Sequence, residues 1–245
     1  MITVLHAREG SKAFRVLLIR LLLRHYAQHP VILDTVNQLP VRQLVAATHR
    51  QRAHHHILPS LHIARAFNYH QITESLTKQL PAEVAQTGAR LVILLGFGEQ
   101  YLSDEARQNL AYDQRDAIYA LQELTVALGS LKSLVLEHQL YCLLLTSLAP
   151  RSATKSLGGS FLAHSAGVIV QKRQEGREVV WELLEHPARG PRTVETALHN
   201  GHRVPQRLDS FLPASVSGSL QEWIQSLAKQ ARSPVHRSLD FYLKD

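Results

Sequence analysis

Short, continuous apolar runs recur along this chain, and longer stretches with helical periodicity separate them. The clearest runs occupy residues 1–5, 31–34, 90–95 and 140–146. A run that is apolar at nearly every position is typical of a strand in a parallel sheet covered by helices on both faces. Helical periodicity lies between the runs, in residues 13–28, 71–86 and 113–138. We therefore expect an α/β fold with a mostly parallel central sheet flanked by helices.

The pattern changes after Pro150. Residues 161–173 and 179–184 are strand-like, and Gln174-Glu-Gly-Arg177 between them is a short turn that contains glycine. This arrangement predicts an antiparallel hairpin at one edge of the sheet. Since the chain has no internal repeat, we expect a single domain over residues 1–245, with a core over residues 1–198 and a C-terminal extension over residues 199–245.

Composition favours an anionic partner. The chain has 27 Lys and Arg against 20 Asp and Glu, a net charge of +7, and this slightly favours nucleic acid as a partner. The single cysteine, Cys142, lies in an apolar run, which excludes a disulfide framework and indicates a buried thiol in a cytoplasmic protein. Residues 16–23 are too short to span a membrane and contain Arg20, so we expect no membrane partner.

Residues 6–13 lie between the first strand and the first helix, where a nucleotide-binding protein would carry G-x-x-x-x-G-K-[ST]. Here the segment is His-Ala-Arg-Glu-Gly-Ser-Lys-Ala, and only the lysine, Lys12, keeps its place. A phosphate cradle needs glycines that turn backbone N–H groups toward the ligand, and a hydroxyl that holds Mg²⁺. Lys12 is therefore either a solvated lysine at a helix start or the remnant of an anion site.

Three segments, in order along the chain, resemble the RecA/RadA family of recombinases, especially the archaeal and eukaryotic branch and its paralogues. They are Ile63-Ala-Arg-Ala-Phe-Asn68, Leu157-Gly-Gly-Ser-Phe-Leu-Ala-His-Ser165 and Pro187. The resemblance runs from the first strand to about residue 198. It implies a RecA-like core in a divergent paralogue with a degenerate ATP site.

The resemblance also locates the family's nucleotide positions, and most are changed here. Lys12 matches the phosphate-binding lysine. Val36 stands in the segment where the family has a glutamate that activates water, and Leu94-Leu95-Gly96 stands where the strand should end in a magnesium-linked aspartate. Ser147 and Leu148 replace the amide that senses the γ-phosphate. We therefore expect no ATPase activity, no catalytic residue, no bound metal and no cofactor.

The family's two DNA-binding loops correspond to residues 98–107 and 149–156. The first carries acidic residues and the second is small and polar. In the second loop, Arg151 and Lys155 could contact phosphates, and such contacts would be independent of sequence and suited to single strands. The alternative is that both loops are ordinary solvated loops. The candidate DNA-binding residues, which include the predicted hairpin, are Arg107, Arg151, Lys155, Lys172, Arg173 and Arg177.

Other features leave two interpretations open. Residues 42–56 are basic and rich in histidine, which suits either a cationic arm or a solvated loop. Tyr101 and Tyr112 could stack on bases or pack against the end of the sheet. Pro81 lies either near the middle of the helix predicted over residues 71–86 or at a break in it.

The leading hypothesis is a non-hydrolysing recombinase paralogue that binds DNA, a RecA/RadA-type recombinase, or both, in homologous recombination or DNA repair. A homodimer or a hetero-complex is compatible with it. The alternatives are an interaction scaffold that never contacts DNA, and a RecA-like ATPase that binds ATP weakly.

Overall fold

The fold was analysed in a computed structural model. It describes residues 1–6, 12–50, 56–102, 114–147, 159–175, 178–185, 192–194, 196–199 and 202–205. Most of the predicted C-terminal extension over residues 199–245 lies outside these residues. None of the described helices is both long and apolar enough to cross a bilayer.

The strands of the described part form one large sheet and one small one. In chain order they are β1 (Ile2–His6), β2 (Val31–Asp34), β3 (His62–Arg65), β4 (Leu91–Leu95), β5 (Tyr141–Thr146), β6 (Val168–Glu175), β7 (Glu178–Glu185), β8 (Arg192–Val194), β9 (Thr196–His199) and β10 (His202–Pro205). The large sheet has the order β3-β2-β4-β5-β1-β6-β7-β8, and β9 pairs with β10.

Six neighbouring strands of the large sheet, from β3 to β6, are parallel. The expected α/β fold with a parallel central sheet is therefore confirmed. Beyond β6, the strand β7 runs antiparallel to β6, and β8 runs antiparallel to β7. The turn residues 176–177 lie outside the described part.

The described helices, in chain order, are α1 (Lys12–His25), α2 (Val41–Arg50), α3 (Tyr69–Glu74), α4 (Leu80–Thr87), α5 (Glu99–Leu102), α6 (Gln114–Glu137) and α7 (Gly159–Ser165). Single turns of 3-10 helix occupy Tyr26–Gln28 and Leu58–Ser60, and a π-helical turn, Ser75–Gln79, joins α3 to α4. The helix around Pro81 is therefore continuous, and the alternative of a break is wrong.

Helices cover both faces of the parallel sheet. One apolar core contains α1 and α2 residues with Leu5, Ile32 and Ile93. The other contains α3, α4, α6 and α7 residues with Val4 and Val92. Because successive strand residues point to opposite faces, every position of a central strand faces one core or the other, which explains the continuous apolar runs.

Two predictions of local structure were wrong. Residues 41–50 form α2, with Leu44 and Ala47 buried in the same core as α1, so the alternative of a solvated loop is wrong for this part of residues 42–56. Residues 159–165 form α7, although 161–173 was predicted as one strand. A short apolar run has no periodicity that separates a buried strand from a buried helix.

Candidate functional site

The carboxyl edge of the sheet, where β1, β2, β4 and β5 end, is the candidate site. Ligands of open α/β sheets bind at such an edge, in a crevice between loops that leave toward opposite faces. Here β1 and β5 are neighbours. The chain continues from β1 into α1 on one face and from β5 toward α7 on the other. This rule places a ligand between the ends of β1 and β5, and residues 7–11 and 148–158, which follow these strands, lie outside the described part.

Asp34, the last residue of β2, shapes the loop that enters α2. Its buried carboxylate accepts N–H groups from Val36 at 3.3 Å, from Gln38 at 3.0 Å and from Leu39 at 3.0 Å. Three backbone donors satisfy this carboxylate. It therefore acts as a structural anchor for the loop, a role that sequence reasoning missed.

Gly96 follows β4 at the position where the resemblance implies a magnesium-linked carboxylate. Its φ is +73°, and an added Cβ would overlap both methyl groups of Val36 and lie 2.9 Å from Thr35 Oγ1. The Thr35 hydroxyl itself donates to Leu95 O at 2.9 Å. Val36, where the resemblance implies the general-base segment, thus packs against the end of β4, where it implies the metal ligand. No side chain fits at residue 96 without displacement of Thr35 or Val36.

Glu99 joins the ends of β4 and β5. It is buried at the start of α5, and its Oε1 accepts the backbone N–H of Ser147 at 2.9 Å. Next to it, the Gln100 side chain donates to Thr35 O at 3.1 Å. Sequence reasoning treated Glu99 only as an acidic loop residue. In the structure it holds Ser147, where the resemblance implies the γ-phosphate sensor, through this hydrogen bond.

His6 ends β1 in the middle of the edge. Its side chain is only 2% exposed, and burial lowers its pKa to about 4. By strand register it lies beside Thr146 of β5 and Gln171 of β6, which are also buried. Within the described residues neither ring nitrogen has a hydrogen-bond partner. The imidazole is therefore neutral near pH 7 and supplies no positive charge to a phosphate.

The predicted binding residues are Lys12 and the six candidates for DNA binding, and the structure describes only some of them. Lys12 begins α1 and Arg173 lies in β6, but their side chains are outside the described part of the structure, as are residues Arg107, Arg151, Lys155 and Arg177. Lys172 is half-buried in β6, and burial lowers its pKa. Among the six candidate DNA-binding residues, only Lys172 has a side chain within the described part of the structure.

Tyr101 packs in the core. It is almost fully buried, its hydroxyl is 2.9 Å from Thr73 Oγ1, and its ring contacts the rings of Phe97 and Tyr69. Burial raises its pKa. Packing at the sheet end is therefore correct for Tyr101, and base stacking is wrong. Tyr112 lies outside the described residues.

A second surface lies along β3, the outermost strand of the parallel region. In the order of the described strands, β3 has a neighbour only on the β2 side. Ile63 in this strand and Phe67 just after it are exposed, Phe67 by 66%. A cavity of about 370 Å³ lies between β2, β3 and the Ser75–Leu80 segment, and His62 Nδ1 contacts Glu83 Oε1 at 2.6 Å on its rim.

Together, the fold and these two surfaces define an α/β protein in which Val36 packs on Gly96 at the carboxyl edge and β3 ends the order of the described strands on one side. No protein-family model matches the chain, and no curated protein matches it. In the described part, no three His, Cys, Asp or Glu side chains are grouped as metal ligands.

Proposed function

We propose that this chain is a non-hydrolysing RecA-like paralogue that assists homologous recombination or DNA repair by binding a RecA/RadA-type recombinase. The contact between Val36 and Gly96 is the main observation in support. It fills the space where the general base and the metal carboxylate of an ATPase would face the nucleotide. Sequence resemblance supplies the family, and this packing supplies the reason to expect no hydrolysis.

Energetics favour the loss of ATP turnover. A hydrogen bond to a charged group contributes about 1.5–3 kcal/mol. The chain has Ala13 in place of the loop hydroxyl, Gly96 in place of the metal carboxylate and Val36 in place of the base. Removal of all three leaves magnesium without protein ligands and the attacking water without an activator.

The order of the strands also supports a RecA-like core over a dinucleotide-binding fold. In the order 3-2-1-4-5-6 of dinucleotide-binding proteins, the first two strands are neighbours. Here β4 and β5 lie between β2 and β1. We therefore infer that the motifs similar to RecA/RadA proteins belong to a core of that type.

The β3 edge is the surface that we assign to the recombinase. An edge strand offers unpaired backbone N–H and C=O groups, and an extended segment of a partner can add to it as a further strand. The exposed Ile63 and Phe67 and the neighbouring cavity give apolar side chains of that segment a place to bind. In the segment Ile63–Asn68, Ala66 is buried and Asn68 caps α3, but no contact within the described structure accounts for the exposed Phe67 ring.

Nucleotide binding and turnover test the first part of the proposal. We expect no phosphate release from MgATP, with or without single-stranded DNA, and no heat of binding in calorimetry. The Lys12→Ala variant should behave like the natural chain. Clear turnover that Lys12→Ala abolishes would overturn the proposal in favour of a weak ATPase.

Binding to a purified RecA/RadA-type recombinase from the same genome tests the second part. We expect Phe67→Ala to weaken binding about tenfold or more, because exposed aromatic anchors dominate such interfaces. Val41→Ala, an exposed apolar residue on α2, is the matched control and should have no effect. Equal affinities of the natural chain and Phe67→Ala would exclude the β3 edge.

A further inference from the structure

The long helix α6 has an exposed apolar face that no described neighbouring element covers. It lies between the α3–π-turn segment and α7: Ser130 Oγ donates to Leu76 O at 3.0 Å on one side, and Lys132 Nζ donates to His164 O at 3.4 Å on the other. Its inner face is buried in the core with Leu124, Leu128 and other apolar residues. The outer face points away from the sheet.

Six exposed residues on this outer face follow a heptad spacing. They are separated alternately by four and three positions, which is the spacing of the contact seam in a two-helix coiled coil. We call them the α6 seam: Ile118, Gln122, Thr125, Gly129, Lys132 and Leu136.

The α6 seam is strongly apolar at both ends. Ile118 is 55% exposed and Leu136 is 78% exposed, and Tyr119 and Val126 beside the seam are exposed as well. These four are half of the large exposed hydrophobic residues in the described part of the chain. A concentration of apolar surface on one helix face is typical of an interaction site.

We propose that the α6 seam binds the α6 seam of a second copy of this chain, with the two helices antiparallel. One register uses all six residues. It places Ile118 against Leu136 of the second copy, so the apolar ends cover each other. It also places Gln122 against Lys132, where the amide oxygen accepts from the ammonium group.

The centre of the α6 seam permits close approach of the two helices. In the same register Thr125 lies against Gly129 of the second copy, and both are small. A Cβ added at Gly129 would have no atom within 4 Å, so the space above this glycine is open. Two backbones can therefore approach closely at the two-fold axis, as small residues allow in other helix pairs.

Charge selects the antiparallel arrangement. Lys132 is the one charged residue of the α6 seam. A parallel pair would place the two Lys132 ammonium groups side by side, whereas the antiparallel pair separates them by ten residues, or about 15 Å along the helix. At that distance, ordinary salt screens most of their repulsion. A second copy in this orientation therefore meets no like charge on the seam.

Sedimentation equilibrium of the full chain, with single and double charge variants, tests this arrangement. We expect a reversible dimer at loading concentrations between roughly 1 and 100 µM, as suits an interface one helix wide. Ile118→Lys alone and Leu136→Glu alone should each weaken the dimer about tenfold or more. The double variant Ile118→Lys/Leu136→Glu should recover it, because each lysine then faces a glutamate of the second copy.

Matched controls separate pairing from misfolding. Gln86→Lys, an exposed change on α4, should leave the dimer unchanged. Thermal melts of the two single variants should match the natural chain, since both positions are exposed. An equimolar mixture of the two single variants should dimerise more strongly than either variant alone.

Three outcomes would overturn the antiparallel pair. A double variant that stays as weak as the single variants would mean parallel pairing or another surface. A chain that is monomeric at all concentrations, with a rapidly labelled thiol in Leu136→Cys, would mean that the seam is unoccupied. A monomer with a slowly labelled thiol would mean that another segment of the same chain covers it. None of these outcomes affects the ATP or β3-edge tests.

Discussion

At the scale of single residues, Gly96 illustrates how one position closes the carboxyl edge. We expect Gly96→Ala to lower the free energy of unfolding by about 2–4 kcal/mol, because left-handed backbone strain and overlap with Val36 add together. Gly88 is a matched control: its φ is +66°, but an added Cβ would meet nothing within 4 Å. Gly88→Ala should therefore cost about 1–2 kcal/mol. Equal losses in urea denaturation would contradict the packing of Val36 on Gly96.

His6 links stability to pH. Its pKa is about 4 in the folded protein, against 6.5 for an exposed histidine. Between these values the unfolded chain binds a proton that the folded protein does not. The free energy of unfolding should therefore fall on acidification, by up to about 1.4 kcal/mol per pH unit, and be unaffected by this group above pH 6.5.

The measurement is the difference in urea-unfolding free energy between the natural chain and His6→Gln, at several pH values from 7 to 4.5. The variant should show a shallower loss on acidification. His25, whose pKa is also lowered to about 4, mainly by burial, should keep its own contribution in both proteins. Parallel pH curves would mean that His6 is accessible to protons in the folded state.

At the scale of elements, the α3–α4 helix shows how local signals build a structure. Asn68 precedes α3 and its side chain accepts the N–H of Gln71 at 2.9 Å, while the Gln71 side chain accepts the N–H of Phe67 at 2.8 Å. This reciprocal pair satisfies N–H groups at the helix start. The π-helical turn lies directly before Pro81, which has no N–H to donate within the helix.

Replacement of the cap tests this account. We expect Asn68→Ala to lower the free energy of unfolding by about 1 kcal/mol, since a lost cap leaves an N–H without its acceptor. Asn68→Asp keeps a capping oxygen and should retain most of the stability. Chemical denaturation of the three proteins provides the comparison. No difference between Asn68→Ala and the natural chain would mean that water replaces the cap fully.

At the scale of the whole molecule, the excess of positive charge leads to a prediction about DNA. For mixed-sequence single strands, the logarithm of the binding constant should fall linearly with the logarithm of the salt concentration. The slope should be about −0.7 for each phosphate neutralised. Arg151→Ala and Lys155→Ala should each reduce the slope by about 0.7. Arg90→Ala, at the amino edge of the sheet where its side chain bonds His138 O, is the control. No binding at low salt would favour a scaffold that does not contact DNA.

The success of sequence reasoning also differs between elements, for physical reasons. The strands β2, β4 and β5 were predicted within one residue, because burial on both faces makes nearly every position apolar. The helix α2 was missed although Val41, Leu44 and Val45 have helical spacing, because the Arg and His residues around them favoured a solvated segment. The strand β6 was predicted too long at its start, since the apolar run of α7 precedes it.

The candidate site was predicted only as a set of changed positions. The resemblance to the family pointed to Val36, Gly96 and Ser147, but their contacts come from distant parts of the chain. Thr35 and Leu95 are 60 positions apart, and Glu99 and Ser147 are 48 apart. No local pattern encodes such pairs, so the anchoring roles of Asp34 and Glu99 emerged only from the coordinates.

The sequence by itself determined the α/β class and the positions of the central strands, because hydrophobic burial acts on each segment through its own residues. The tertiary structure decided the order of the strands and placed β1 between β5 and β6. It also decided that Val36 fills the space over Gly96 and that Ile118 and Leu136 lie exposed on the outer face of α6. These outcomes depend on which segments meet in space, and each segment's composition is compatible with more than one neighbour.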